Sequence, residues 1–188
     1  ISQAVKAQAS IVFEKAYALP CSREVFERAL AHPDLMGALW AAYGYAPAYR
    51  VSGDARAVHV VDPTGIEGEV RRVARGEGRW VFRGEGQVTH WAVPALRGGE
   101  VVFDVAVSGS GGETRVVVGV FLKPESRAVG ALLKMLEWAV RPRIDNRVSL
   151  NMQDLERILV EIETSPEAVQ RRLGGDMRAR FGAVFGQL

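Results

Sequence analysis

The chain has 188 residues, 48% hydrophobic and 24% charged, which suits one domain with a sizeable core better than two. Its 24 basic and 22 acidic residues are mixed along the chain, so a net charge of +2 offers nucleic acid no concentrated basic face. The single cysteine, Cys21, excludes an intrachain disulfide and a cysteine-built metal site, and no apolar run approaches the roughly 20 residues of a membrane-spanning helix.

Ser10 to Leu19 reads as a strand, rich in β-branched and aromatic residues and stopped by Pro20. A helix opens at Cys21-Ser22, with Glu24 in its first turn and an apolar stripe of Val25, Phe26, Ala29 and Leu30. His32-Pro33-Asp34 ends it and starts a second helix, Leu35 to Tyr43, stopped at Gly44. From Pro47 to Leu122 the apolar period becomes two. Turn signals fall at Gly53-Asp54, Asp62–Gly65, Arg75–Gly78, Arg97–Gly99 and Ser108–Gly112. Val101, Phe103, Val105 and Val107 share one face of a strand, and short turns between strands predict an antiparallel meander.

The last large element starts at Pro124-Glu125-Ser126. Apolar residues from Val129 to Ile162 recur at helical spacing. Pro142 inside that run predicts a kink near residues 138–142, and Arg141, Arg143, Asp145 and Glu156 read as the solvated side. A short helix follows, to Leu173. Residues 174–188, beyond Gly174-Gly175, have mixed polarity and read as a loosely held tail.

One strand ending in Leu19-Pro20, the segment Arg23-Glu24-Val25-Phe26, two short helices, a run of antiparallel strands and one long helix: this order resembles the START-like superfamily, also called Bet v 1-like, SRPBCC or helix-grip. The resemblance covers roughly residues 10–163. It implies an α+β fold in which a curved seven-stranded antiparallel sheet wraps around a long C-terminal helix, with residues 1–173 as one domain. It also implies a cavity for an apolar molecule. Seven strands require Arg79 to Val93 to run on through Gly84-Glu85-Gly86. Trp80, Phe82, Gly84, Gly86, Val88 and His90 then face inward, and the two glycines serve either cavity space or a bend.

The candidate ligand-binding residues follow. Arg72 and His90 are inward polar groups able to orient a ligand, and Trp80, Phe82 and Phe103 line the wall. Trp40 and Tyr49 belong to an aromatic group with Tyr43 and Tyr45 at the implied pocket mouth, and Met135 and Trp138 are adaptable liners near the expected kink. The three histidines lack metal-ligand spacing, and no nucleophile, phosphate-loop or dinucleotide motif occurs, so no metal, cofactor or catalytic residue is assigned. The reading is binding or transport of a lipid-like or aromatic molecule, with a polyketide cyclase/aromatase-like enzyme or a protein-interaction module as alternatives. Expected partners are that hydrophobic small molecule and, transiently, a membrane, but not nucleic acid; the chain is a monomer or homodimer. The location is read as cytoplasmic, with the periplasm open because the first residue is Ile1 rather than Met.

Overall fold

The computed structural model describes residues 2–51, 54–62, 65–90 and 93–186. A short helix, α1 (Ser2–Gln8), precedes strand β1 (Ile11–Leu19). Helices α2 (Arg23–Ala31) and α3 (Pro33–Ala42) follow, separated by His32 alone. Ser22 caps α2 by accepting from the Val25 amide at 3.3 Å, and Pro33 fills the first position of α3, where no amide is needed. The strands are β2 (Ala48–Val51), β3 (Ala57–Val61), β4 (Ile66–Gly76), β5 (Arg79–His90), β6 (Val93–Ser110) and β7 (Glu113–Pro124). They form one seven-stranded antiparallel sheet in the order β1-β7-β6-β5-β4-β3-β2. Helices α4 (Arg127–Met135), α5 (Glu137–Thr164), α6 (Pro166–Arg172) and α7 (Gly175–Phe185) complete the chain.

The continuous reading of β5 through Gly84-Glu85-Gly86 holds. It ends at His90, however, and Val93 opens β6 directly opposite. Arg97–Gly99 is not a turn: it lies within the 18-residue β6, where Gly99 pairs with Gly86, and the ladder shifts register between Gly86 and Val88. A glycine pair lets the sheet bend sharply without breaking, which is why the glycines mimic a turn signal. The two inward glycines of β5 divide the roles left open by the sequence. A Cβ on Gly86 would lie 2.2 Å from the Glu67 carbonyl oxygen and 2.7 Å from the Gly68 Cα, so here two backbones approach at a bend. A Cβ on Gly84 would lie 2.6 Å from Val101 Cγ1, so there the missing side chain makes room for a valine.

The concave face carries the main core. Trp80, Val25, Phe26, Leu35, Leu39, Ile158, Leu159 and Ile162 are buried there between the sheet, α2, α3 and the second half of α5. The convex face has a smaller core of Val81, Val102 and Phe121, with Ala9 packed against it beside α1. Lys6 of α1 lies 4.5 Å over the Phe121 ring and 3.0 Å from the Asp104 carboxylate. Arg79 grips the same carboxylate with two donors.

Asp104 is 6% exposed. Hydrogen bonding from Arg79, opposed by burial and helped by Lys6, holds its carboxyl below the usual pKa. A depressed folded-state pKa means that the ion contributes stability above the unfolded-state value near 3.9, and that this is lost as pH falls through the folded-state value. Asp104→Asn should therefore unfold at lower urea than the wild type at neutral pH, and the gap should narrow as pH drops below about 4. A gap independent of pH would mean that the charge contributes nothing.

Two sequence expectations change at the C-terminal end. The long helix breaks at Leu136 (φ −96°, ψ 10°), ahead of the expected kink at 138–142. Pro142 stays inside α5, near its start. The carbonyl that its ring deprives of a partner belongs to Trp138, a residue 78% exposed on the outer side of the helix. The segment after Gly174 is not a loose tail. It forms α7, whose Phe181 and Phe185 are 1% and 0% exposed, with rings 5.1 Å apart. Arg180 fixes the helix to the start of α3 through Asp34 at 2.5 Å, and Arg28 of α2 donates to the Val184 carbonyl at 2.5 Å.

Candidate functional site

Burial along α5 is uneven. In its second half Ile158, Leu159 and Ile162 are 0% exposed, whereas in its first half Ile144 and Val148 are only half-buried. The sheet shows the same gradient. Trp80 at one end of β5 is sealed, while Val70 of β4 and Val101 and Phe103 of β6, farther along the concave face, are half-buried. The less sealed apolar surface thus comprises Ile144 and Val148 on the first half of α5 and Val70, Val101 and Phe103 on the concave face of the sheet.

Helix geometry explains how α5 is held over this surface. Successive residues rotate by about 100°, so Ile144 and Val148 share one side while Asp145 and Ser149 point to a second and Arg147 to a third. Toward β1, Lys15 donates to Asp145 at 2.6 Å and to Ser149 Oγ at 2.9 Å, with the Tyr17 hydroxyl 3.4 Å from Ser149 Oγ. Toward β3, Arg147 reaches both Asp62 carboxylate oxygens, at 3.0 and 3.2 Å. The helix is tied to both sides of the curved sheet within three residues. The hydrogen bond to Asp145 raises the Lys15 pKa, and Lys15 in turn lowers that of Asp145. Because both side chains are about half exposed, this pair orients more than it stabilises.

The residues expected from sequence to bind ligand are distributed as follows. Phe82 and Trp80 are buried inward, and Phe103 lies on the open part of the same face. Trp40 is buried, with Tyr45 and Tyr49 edge-on to its ring at 5.8 and 5.5 Å. Its indole nitrogen is buried without a hydrogen-bond partner. Burial pushes the Tyr49 phenol up to about 12. Tyr43 is engaged elsewhere: its hydroxyl donates to Glu161 at 2.6 Å under the Arg172 guanidinium.

Arg72 does face inward, but its guanidinium donates to the carbonyl of Ala31 at the end of α2, where a cation meets the negative end of the helix dipole. Burial and the neighbouring Arg56 and Arg75 hold its pKa below the ordinary value. Met135 and Trp138 are 74% and 78% exposed, because the break at Leu136 turns them away from the core. They do not line the concave face. The side chain of His90 lies outside the described residues.

Lys15, Tyr17, Asp62, Arg147 and Ser149 are missing from the sequence reading, and Asp145, read there as solvated, is bonded across to the sheet. Lys15 and Tyr17 had a visible signal, their inward parity with Phe13 and Leu19. Cys21 is fully buried, and burial pushes its thiol up to about 11, so a thiolate nucleophile is not formed at neutral pH. Among the described residues no cluster of metal-ligating side chains occurs, and no helix is long and apolar enough to cross a membrane. Two depressions lined by described residues both lie on the convex face. The larger, about 450 Å³, is bordered by Arg83, Glu85, Glu100 and Lys123, which pair with one another.

No protein-family model and no curated protein matches the chain. Solved structures do. The Zhui aromatase/cyclase from Streptomyces sp. R1128 matches with a TM-score of 0.57 at 8% identity, covering 83% of this chain and 97% of that one. Norcoclaurine synthase from Thalictrum flavum, solved with dopamine and hydroxybenzaldehyde, matches at 0.56 and 11% identity, covering 84% and 91%. Ara h 8.0201 matches at 0.52 and 13% identity, covering 80% and 98%. With its seven-stranded antiparallel sheet, its two short helices after β1 and its long C-terminal helix, the chain has the START-like, Bet v 1-like helix-grip fold.

Proposed function

We propose that the chain binds a hydrophobic small molecule, lipid-like or aromatic, between the first half of α5 and the concave face of the sheet. The observation that carries this reading is the burial gradient: Ile144, Val148, Val70, Val101 and Phe103 are apolar yet only half-buried, in a fold whose other half is sealed. An apolar ligand covering them would gain about 25 cal/mol per Å² before the cost of association. Trp40 and Tyr49, edge-on at 5.5 Å, are retained as aromatic contacts for the ligand. His90 is retained as a polar contact. Arg72 is not, since it serves α2. Similar folds in an aromatase/cyclase and in norcoclaurine synthase are compatible with such a ligand, but a catalytic role gains less from the residues in place. Lys15 is held as an ammonium by Asp145, which unfits it as a base or Schiff-base nucleophile.

Binding of a fluorescent apolar probe, together with native mass spectrometry of the purified protein, tests this. The wild type should bind the probe, and Val148→Trp, which fills the space, should weaken binding about 10- to 100-fold while unfolding within a few degrees of the wild type. If the wild type binds no probe and carries no extractable molecule, the reading is wrong.

A further inference from the structure

The elbow between α4 and α5 is apolar where it faces water. Within seven residues it presents Leu132 at 37%, Met135 at 74% and Trp138 at 78% exposure. Exposing an indole and a thioether this fully gains the folded chain nothing, and such patches mark contact surfaces. The charge around them is on balance positive. From Glu125 to Arg143 the sequence holds four basic and two acidic residues. One of the two, Glu137, is neutralised by Arg141 at 3.4 Å. Arg127, Lys134 and Arg143 are exposed and make no ion pair among the described residues.

We infer that this elbow docks on an anionic phospholipid surface. Trp138 would lie at the headgroup boundary, where an indole places its ring in hydrocarbon and its N–H in water, and Met135 and Leu132 would insert beside it. Each unpaired cation near an anionic surface strengthens binding about fivefold. A second copy of the chain fits less well, because a two-fold contact would set the same cationic patch against itself. The elbow also joins the half of α5 that covers the less sealed apolar surface, so docking would bring that surface to the lipid. The inference does not rest on ligand binding, and the two can fail separately.

The test is flotation of the full chain with vesicles of phosphatidylcholine alone and of phosphatidylcholine with phosphatidylserine. The wild type should float with the anionic vesicles, stay below with the neutral ones, and be released by high salt. The double variant Met135→Ser, Trp138→Ser removes only exposed side chains and should bind anionic vesicles about tenfold or more weakly, with apolar-probe binding unchanged. The inference is overturned if the wild type ignores anionic vesicles or if the double variant floats equally well. It is also overturned if sedimentation velocity shows a dimer that the double variant abolishes, which would make the elbow a self-association surface.

Discussion

Phe181→Ala lowers the unfolding free energy by about 3–5 kcal/mol, the range for truncating a buried aromatic. Few other single changes should cost as much, because Phe181 packs against Phe185 inside the same core as Phe26 and Leu35. The cavity left behind cannot collapse easily: α7 is pinned at the Arg180–Asp34 pair and at the Arg28–Val184 contact. Ending the chain at Gly174 should be worse still, since it exposes the α2–α3 surface and leaves the 2%-exposed Asp34 carboxylate without its cation. Urea denaturation of the two variants checks both expectations. A Phe181→Ala loss under about 1 kcal/mol would mean that α7 is not part of the cooperative core.

Gly86→Val should be comparably severe, at about 4 kcal/mol or more, through a different mechanism. The atoms that its Cβ would strike, the Glu67 carbonyl oxygen and the Gly68 Cα, are backbone and cannot rotate away, so β4 and β5 would have to separate. Gly84→Ala is the control. Its first collision is with Val101 Cγ1, a side chain that can change rotamer, so a loss of about 1–3 kcal/mol is expected. If both variants lose the same stability, the bend at Gly86 is not a close backbone approach. Were Gly86→Val to fold with a flatter sheet, probe binding should fall as well, since the bend shapes the concave face.

The fold was largely legible because its signals are local and redundant. Period-two apolar alternation in β6 and β7, the Ser22 cap and the Pro33 start each point to the element that forms. Where the reading failed, a local signal was outweighed by something distant. Pro142 promised a kink, but the helix yields at Leu136, upstream of the exposed turn where the loss of one hydrogen bond is easily borne. That shift carried Met135 and Trp138 outward, and nothing in their apolar identity could have revealed it. The mixed polarity of α7 hid Phe181 and Phe185, whose four-residue spacing was the clue to a buried stripe. Within the candidate site only Phe103 was among the ligand-binding residues read from the sequence, whereas Val70, Val101, Ile144 and Val148 stood there as ordinary apolar positions of strands and helix. The ties from Asp145 and Arg147 to opposite sides of the sheet depend on the angular setting of α5, which no local pattern records.

The strand order also constrains how the chain reaches this structure. From β2 to β7 every strand pairs with its neighbour in sequence, so each hairpin can close soon after it is made. β1 is the exception. Its nine residues pair with β7, roughly a hundred residues later, and closing that loop costs about 4 kcal/mol of chain entropy before its first contact is rewarded. During synthesis β1 therefore waits without its partner strand, and the last hairpin strand to emerge is the one that recruits the first.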